Sequence, residues 1–387
     1  MNFNENPSPR GHFFQRQQAH NLKQHHRKRQ AKFYAIIGLI ALCFGSCLLL
    51  WVWLSPYTPQ TVPNKNAQPL QLNTKVKSAI VVDAKTGQIV AEKNAQQLVG
   101  IASQSKMLTA YETLKQIHAG KLHWHDEITI NPKTDWSAKD DQVYAHLNMH
   151  AGQKVTVQSL FDAMYTNSAN DAALALADFI KPAELSQYQA LNLWARELNL
   201  TKSQWYNAAG QENKDAFAFQ VPTAAPTAEN KATVLQLAFL ARKNLQLNPN
   251  LRSYYHRNRL VYYTNHRQRH VKQTEYHRLK TKILPQLQNP LNLQFEGLKS
   301  GSTPNSGGAF TGLMKDQQGH EFITVVSGSG SYTSQFNRYQ NTIDIVNDVL
   351  RNQTPVSNQA GLKFHHFKQI YPSSTQSPVW VNKLKTS

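Results

Sequence analysis

The feature that constrains this chain most is an uncharged, apolar stretch at Phe33–Leu54. A hydrocarbon core of about 30 Å is crossed by roughly 20 apolar residues in a helix, so this stretch is long enough to span a bilayer. The residues before it carry seven basic side chains and one acidic side chain, and Lys and Arg are retained on the cytoplasmic side. We therefore predict a transmembrane helix at 33–54, a basic cytoplasmic segment at 1–32, and a chain outside the cell from residue 55 onward.

A cleaved signal peptide is the alternative interpretation of the same stretch. The apolar run is longer than a usual signal-peptide core, and no small-x-small cleavage site follows it closely, so we favour a retained anchor. Both cysteines, Cys43 and Cys47, lie inside the stretch. The exported part is therefore expected to contain no disulfide.

The exported part divides by composition into three segments. Residues 55–74 are rich in Pro, Thr, Asn and Gln without apolar periodicity, which is typical of a linker. Residues 75–351 contain the periodic apolar patterns of a folded domain. Residues 352–387 are basic and sparsely apolar from 360 onward, and we expect this tail to be poorly ordered.

Patterns within 75–351 predict a mixture of helices and antiparallel strands. A hairpin is expected at 76–92, with its turn near Gly87, and three further strands at 293–298, 309–315 and 321–327. Helices are expected from Met107 onward and at 157–165, 171–180, 188–198, 232–245 and 340–351.

The first candidate for chemistry is Ser103-Gln104-Ser105-Lys106, at the predicted start of a helix. Residues three apart on a helix share a face, so the Ser103 hydroxyl and the Lys106 amine can meet. A serine needs a neighbouring base to become a nucleophile, and a desolvated lysine loses its proton more readily. A Ser-x-x-Lys pattern also occurs by chance, as an exposed serine and lysine in a first helical turn.

Two further motifs follow in a fixed order, Ser168-Ala169-Asn170 and Lys299-Ser300-Gly301. The ordered set resembles the Ser-x-x-Lys, Ser-x-Asn and Lys-Thr-Gly motifs of penicillin-binding proteins and serine β-lactamases. Within that superfamily, the flanking sequences of residues 79–87, 168–173 and 296–303 are most similar to the low-molecular-mass D-alanyl-D-alanine carboxypeptidases, of the peptidase S11 type. The resemblance implies an α/β fold, with an antiparallel sheet flanked by helices, a helical lobe, and the cleft between them.

The resemblance also implies a function, a serine-type D-Ala-D-Ala carboxypeptidase that acts in peptidoglycan biosynthesis and is inhibited by penicillins. Ser103 would attack the stem peptide to form an acyl-enzyme, Lys106 would take its proton, and Ser168 would relay a proton to the leaving amine. Substrate would be bound by Asn170, Lys299, Ser300, Gly301 and Ser302, with the backbone N–H groups of Ser103 and Ser302 as the oxyanion hole. No cofactor or metal is implied.

The sequence departs from the family pattern at two places. Ser300 stands where threonine is usual, and the stretch 329–336 lacks the arginine that often helps to hold the substrate carboxylate, so Arg338 is a candidate for that role. Two alternatives stay open. A β-lactamase would need a well-placed glutamate that 210–230 does not obviously supply, and a non-catalytic cell-wall-binding relative would keep the fold alone. Ser168 and Asn170 could also simply cap the next helix.

The net charge of +19 is partly concentrated in residues 252–282, where basic and aromatic side chains alternate. Outside the cell such a segment is not expected to bind nucleic acid. It is consistent with contact to anionic wall polymers or lipid head groups, or with a plain solvated face. His123, His125 and Asp126 form a weak metal-like cluster without a third set of ligands, and we interpret them as surface residues.

Overall fold

The computed structural model describes residues 69–355 and 380–382. The predicted cytoplasmic segment, the predicted helix at 33–54, most of the linker and most of the tail lie outside the described residues. Among the residues that are described, none of the helices is both long and apolar enough to cross a bilayer.

The strands and helices follow one another in a mixed order. The strands are β1 (Leu70–Gln71), β2 (Ser78–Asp83), β3 (Ile89–Lys93), β4 (Val99–Gly100), β5 (Glu127–Thr129), β6 (Lys154–Thr156), β7 (Lys231–Ala232), β8 (Arg259–Thr264), β9 (Gln268–Gln273), β10 (Gln294–Thr303), β11 (Gly307–Lys315), β12 (Glu321–Ser327), β13 (Gln353–Pro355) and β14 (Trp380–Asn382). The α-helices are α1 (Lys106–His118), α2 (Val157–Thr166), α3 (Asn170–Ile180), α4 (Gln187–Glu197), α5 (Val234–Leu247), α6 (Leu251–Tyr254), α7 (Glu275–Arg278) and α8 (Asn337–Asn352).

In the described part of the chain, six strands form the main sheet in the order β1-β3-β2-β12-β11-β10. Adjacent strands of this sheet are antiparallel, except β1 and β3, which are parallel. Strand β2 is buried from Ser78 to Val82, which shows that both faces of the sheet are covered there. Helices α5 and α8 pack against β12, and β10 forms an edge of the sheet. The predicted mixed α/β fold is confirmed.

The helical part begins where the sequence supplies capping side chains. Thr156 accepts a hydrogen bond from Ser159 N at the start of α2, and Ser186 and Thr233 open α4 and α5 with capping boxes. Helix α1 packs against α3, α4 and α5, and nearly all of its first half is buried. The predicted helices of this region are therefore confirmed, with ends shifted by at most two residues.

Two local features differ from the sequence-based expectations. The Ser103 segment is a 3-10 turn, Ala102–Ser105, that precedes α1 rather than the first turn of the α-helix itself. The basic segment contains an antiparallel hairpin, β8 and β9, which the sequence analysis did not predict. At the end of the chain, β13 pairs with β14; the rest of the predicted tail beyond 355 lies outside the described residues.

Candidate active site

Ser103 and Lys106 are brought together by the 3-10 turn that leads into α1. Lys106 Nζ lies 2.8 Å from Ser103 Oγ, and it also donates to Asn170 Oδ1 at 2.8 Å and to the Ala209 carbonyl at 2.6 Å. The Lys106 side chain is fully buried. Ala102, directly before the serine, has a φ of +45°, a conformation that side chains rarely adopt and that often marks functional sites.

The surroundings of Lys106 favour the uncharged form of its amine, which can accept a proton. Burial lowers its pKa well below the ordinary lysine value, and the positive charge of Lys299 lowers it further, against smaller opposing effects of Glu275 and Asp171. Removing an ammonium from water disfavours its charged form. The neutral amine is therefore much more accessible at Lys106 than at a surface lysine.

The second motif lies between α2 and α3 and reaches the same place. Ser168 has a φ of +55° and is buried, and its Oγ accepts a hydrogen bond of 2.8 Å from Lys299 Nζ. Asn170 is the first residue of α3, and its Oδ1 contacts Lys106. The residue at the cap position is Ala169, without a side-chain capping bond. The capping interpretation of Ser168 and Asn170 is therefore wrong.

The third motif lies on the edge strand β10. Lys299 is 1% exposed, and its Nζ donates to Ser168 Oγ and to the Ser300 carbonyl. Burial lowers the pKa of Lys299 to about 8, while Glu275 raises it and Arg338 lowers it. At neutral pH this amine is therefore still largely a cation, about 3 Å from the Ser168 hydroxyl.

Gly301 allows β10 to approach the serine turn closely. A Cβ atom at this position would lie 2.9 Å from the Ile101 carbonyl oxygen and 3.0 Å from Ser103 N, closer than nearly all real Cβ contacts. The backbone of β10 thus passes directly beside the backbone N–H of Ser103. Ser302 follows on the same strand, which forms the edge of the sheet among the residues that the structure describes.

Ser300 and Arg338 both form hydrogen bonds at the third motif. Ser300 Oγ donates to Glu275 Oε2 at 3.2 Å. Arg338, in the first turn of α8, is nearly buried and donates to the Gly301 and Ser334 carbonyls. Its Nη atoms are therefore engaged with backbone oxygens beside the third motif.

Several contributors to the site were missed by the sequence analysis. The Ala209 carbonyl is a main-chain group, so the identity of residue 209 does not reveal it. The only sequence signal is the glycine that follows: Gly210 has a φ of +76°, and a Cβ there would lie 2.1 Å from the Ala102 oxygen. Asp171 is buried beside Asn170, and burial raises its pKa to about 6. Glu275 comes from the basic segment, outside all three motifs and 25 residues before Ser300.

The described residues contain no group of three or more His, Cys, Asp or Glu side chains placed to hold a metal ion. His123 and Asp126 form a 3.5 Å pair at the surface, with side chains 71% and 42% exposed.

The chain is similar to several known proteins. Among curated relatives, the chain is 25% identical over 166 residues to the D-alanyl-D-alanine carboxypeptidase DacF of Bacillus subtilis, covering 43% of this chain and 41% of the relative. It is 23% identical over 261 residues to the D-alanyl-D-alanine carboxypeptidase DacC of Escherichia coli, covering 67% of this chain and 58% of the relative. The matches thus span about half the length of these two relatives.

Two solved structures share the fold. The peptidoglycan synthesis regulatory factor PBP3 of Streptococcus pneumoniae has a TM-score of 0.63 at 24% identity, covering 73% of this chain and 75% of that one. Penicillin binding protein 6B of Escherichia coli has a TM-score of 0.58 at 21% identity, covering 84% of this chain and 89% of that one. The sequence profile described as D-alanyl-D-alanine carboxypeptidase matches residues 63–331, well over half of the chain. The chain therefore belongs to the D-alanyl-D-alanine carboxypeptidase family.

Proposed function

We propose that this protein is a serine-type D-Ala-D-Ala carboxypeptidase that releases the terminal D-alanine from peptidoglycan stem peptides. The observation that carries the proposal is the 2.8 Å contact between Ser103 Oγ and the Nζ of Lys106, a buried amine with a lowered pKa. A hydroxyl paired with a base of this kind is the arrangement that nucleophilic catalysis requires.

In the first half-reaction, Ser103 Oγ attacks the carbonyl carbon between the two D-alanines as Lys106 Nζ takes the hydroxyl proton. The tetrahedral oxyanion is stabilised by the backbone N–H groups of Ser103 and Ser302. The C–N bond then breaks, and the proton that Lys106 took passes through Ser168 Oγ, which is hydrogen-bonded to the Lys299 amine, to the leaving nitrogen, so that Lys106 is neutral again. D-alanine leaves, and an ester remains on Ser103.

In the second half-reaction, water attacks the ester carbonyl and gives a proton to Lys106 Nζ. The ester C–O bond breaks, Lys106 Nζ returns the proton to Ser103 Oγ, and the shortened peptide leaves. Asn170 holds the substrate amide in both steps, and Gly301 keeps β10 close enough for the peptide to lie along its edge. Lys299 and Ser300 bind the terminal carboxylate, and penicillins acylate the same serine.

The β-lactamase alternative is less well supported by the surroundings of the serine. Among the described residues, Ser103 Oγ is hydrogen-bonded to Lys106 and Ala209. The two buried glutamates of 210–230 are engaged elsewhere, Glu212 with Asn305 N and Glu229 with Thr303 Oγ1. We expect penicillin to form a long-lived acyl-enzyme, and fast turnover of a chromogenic cephalosporin would favour the alternative.

The direct test is D-alanine release from a stem pentapeptide by the wild type and Ser103→Ala. We expect release by the wild type, no release by the variant, and loss of fluorescent penicillin labelling in the variant. Ser105→Ala is a matched control, because Ser105 Oγ is hydrogen-bonded to the Ala102 carbonyl rather than to Lys106. Labelling that persists in Ser103→Ala would refute the assignment of the nucleophile.

We also propose that 33–54 anchors the protein in the cell membrane with the catalytic domain on the extracellular face. The support is the uncharged apolar stretch and the basic cluster before it. In intact spheroplasts, an added protease should digest the domain and leave an N-terminal epitope tag protected. Recovery of the untreated protein in the soluble fraction would contradict this.

A third proposal concerns the basic hairpin, defined as β8, β9 and the turn between them. Arg252 and Arg257 of the same segment form ion pairs with Glu321 and Asp162, each at 2.7 Å. The outward side of the hairpin instead carries exposed basic and apolar residues, Arg259, Val261, Tyr263, Arg267, Arg269 and Val271. Within the described residues, no carboxylate lies at ion-pair distance from its three arginines. We propose that this surface binds an anionic wall polymer.

Binding to a poly(glycerol phosphate) polymer tests the basic hairpin. We expect the combined Arg259→Gln, Arg267→Gln and Arg269→Gln variant to bind roughly tenfold more weakly at low salt. Replacing the exposed Lys85, Lys121 and Lys133 by Gln removes the same charge elsewhere and should change the affinity little. Equal weakening by both triple variants would indicate a net-charge effect and refute this surface.

A further inference from the structure

A carboxylate of the protein itself lies where the substrate carboxylate is expected to bind. Glu275 is the first residue of α7, an exposed position whose backbone is fixed by the Thr274 cap, which accepts from His277 N. Its Oε2 accepts a 3.2 Å hydrogen bond from Ser300 Oγ, the hydroxyl of the third motif. The group that should receive the substrate carboxylate is therefore already bonded to an anion of the protein.

The negative charge of Glu275 also favours the charged forms of the two lysines of the site. It raises the pKa of both Lys106 and Lys299, whereas Lys299 lowers the pKa of Lys106. Arg278, one turn further along α7, donates to Gln335 Oε1 at 2.6 Å. Within the described ranges, no Lys or Arg nitrogen lies at ion-pair distance from Glu275, so its negative charge is not neutralised there by an ion pair.

We propose that Glu275 is a specificity-determining residue that disfavours ligands with a free carboxylate next to the scissile bond. The inference rests on the proposed function, because it concerns the same Ser300 subsite. The Glu275 carboxylate competes for the Ser300 hydroxyl and repels an incoming carboxylate. A ligand that ends in a neutral amide at that place experiences no such repulsion. Glu275 thus reduces the preference for a carboxylate over a neutral end that the lysines would otherwise give the site.

The test compares two peptides that differ only at the end, an acyl-D-Ala-D-Ala carboxylate and the corresponding C-terminal amide. Glu275→Gln keeps a partner for Ser300 and removes the charge. We expect it to raise kcat/KM for the carboxylate peptide roughly tenfold, mainly by lowering KM. A change of this size is expected when a like charge several ångströms away is removed at a partly exposed site. The amide peptide should change less than twofold.

Two controls separate selectivity from a structural effect. Glu184→Gln removes an exposed charge elsewhere, on the loop before α4, and should leave the carboxylate-to-amide ratio unchanged. The gain in Glu275→Gln should shrink in 1 M salt, because salt screens partly exposed charges. A ratio in Glu275→Gln that stays within twofold of the wild type would overturn the inference.

A second readout distinguishes failure of this inference from failure of the proposed function. The acylation rate of Ser103 is measured with benzylpenicillin, which has a free carboxylate, and with its methyl ester, which is neutral at that position. If the wild type is acylated but releases no D-alanine, the carboxypeptidase reaction is refuted, and the ratio of acylation rates still decides the role of Glu275. If neither compound acylates the wild type, both proposals are overturned.

Discussion

Two buried lysines serve this site in different surroundings, and the comparison suggests a division of roles. The serine cluster, defined as Ser103, Lys106, Asn170 and the Ala209 carbonyl, surrounds its amine with three acceptors, and no carboxylate of the described residues is hydrogen-bonded to that amine. The strand cluster, defined as Ser168, Lys299, Ser300 and Glu275, has an anion at its exposed end. The pKa of Lys106 is lowered well below the usual range, and that of Lys299 only to about 8.

This difference in pKa fits a division of roles in which one lysine accepts a proton and the other remains a cation. Two titratable groups whose pKa values are pushed apart by their environments can act as base and electrostatic partner at the same pH. Lys106 is suited to take the Ser103 proton, and Lys299 to attract a carboxylate and polarise Ser168.

The strongest way to break the comparison is to remove the base. Lys106→Met retains much of the buried volume and should lower the rate of penicillin acylation by about 10⁴-fold, because the serine loses its proton acceptor. Measured by stopped-flow labelling, a loss of less than tenfold would show that Lys106 is not the base.

The same variant has a stability signature. The folded-state pKa of Lys106 lies below the ordinary 10.5, so the folded protein binds fewer protons than the unfolded chain, and stability falls as pH decreases from 10.5 towards that lowered value. Lys106→Met removes this penalty. Its gain in Tm over the wild type should therefore grow from pH 10 to pH 6.

A second change separates the two clusters physically. Gly301→Ala places a methyl group against the Ile101 carbonyl and Ser103 N. We expect acylation to fall roughly 100-fold, because a shift of about 1 Å misaligns the reacting groups. Gly120→Ala, which has a φ of +66° and open space around the new Cβ, measures the cost of replacing a glycine far from the site. Equal acylation rates in both variants would contradict the close approach of β10.

The pH profile tests the strand cluster. As pH rises through about 8, Lys299 loses its charge, so kcat/KM should fall roughly tenfold between pH 7 and pH 9. Lys299→Arg keeps its charge throughout this range and should show no such decline, at a lower overall rate because its planar head fits differently. Lys315→Arg, at the end of β11, should retain the wild-type profile. An unchanged alkaline decline in Lys299→Arg would assign it to another group.

The smallest expected effect comes from Ser300→Thr. The hydroxyl is kept and the added methyl group restricts its rotation, so kcat/KM should change less than threefold. A tenfold gain would mean that serine at this position, rather than Glu275, limits binding of the carboxylate.

Local patterns predicted the elements that are stabilised locally. Apolar spacing placed α2, α4 and α5 within two residues, and the structure adds capping side chains at their starts; both signals act over one or two turns. Strand β10 was predicted to end at 298 but continues to Thr303, because pairing with β11 rather than β-branched composition holds its polar half in the sheet. The hairpin of β8 and β9 was missed although Leu260, Tyr262 and Thr264 alternate inward, because basic residues dominate the segment.

The three motifs identified which side chains to examine, and the structure shows that they meet. What sequence could not provide is the contribution of atoms and residues without a motif. The Ala209 carbonyl belongs to a main chain more than 100 residues from Ser103, and Glu275 approaches Ser300 only because α7 folds back beside β10. Such contacts depend on tertiary packing, which local periodicity does not encode.

The serine turn is held between two glycines from distant segments, Gly210 against Ala102 and Gly301 against Ile101 and Ser103. With neighbours on both sides at such short range, the turn has little room to retreat when a bulky adduct forms on the serine. Adaptation to larger inhibitors would then have to come from α7 and the loops around the cleft, which makes those segments the places to look for altered drug sensitivity.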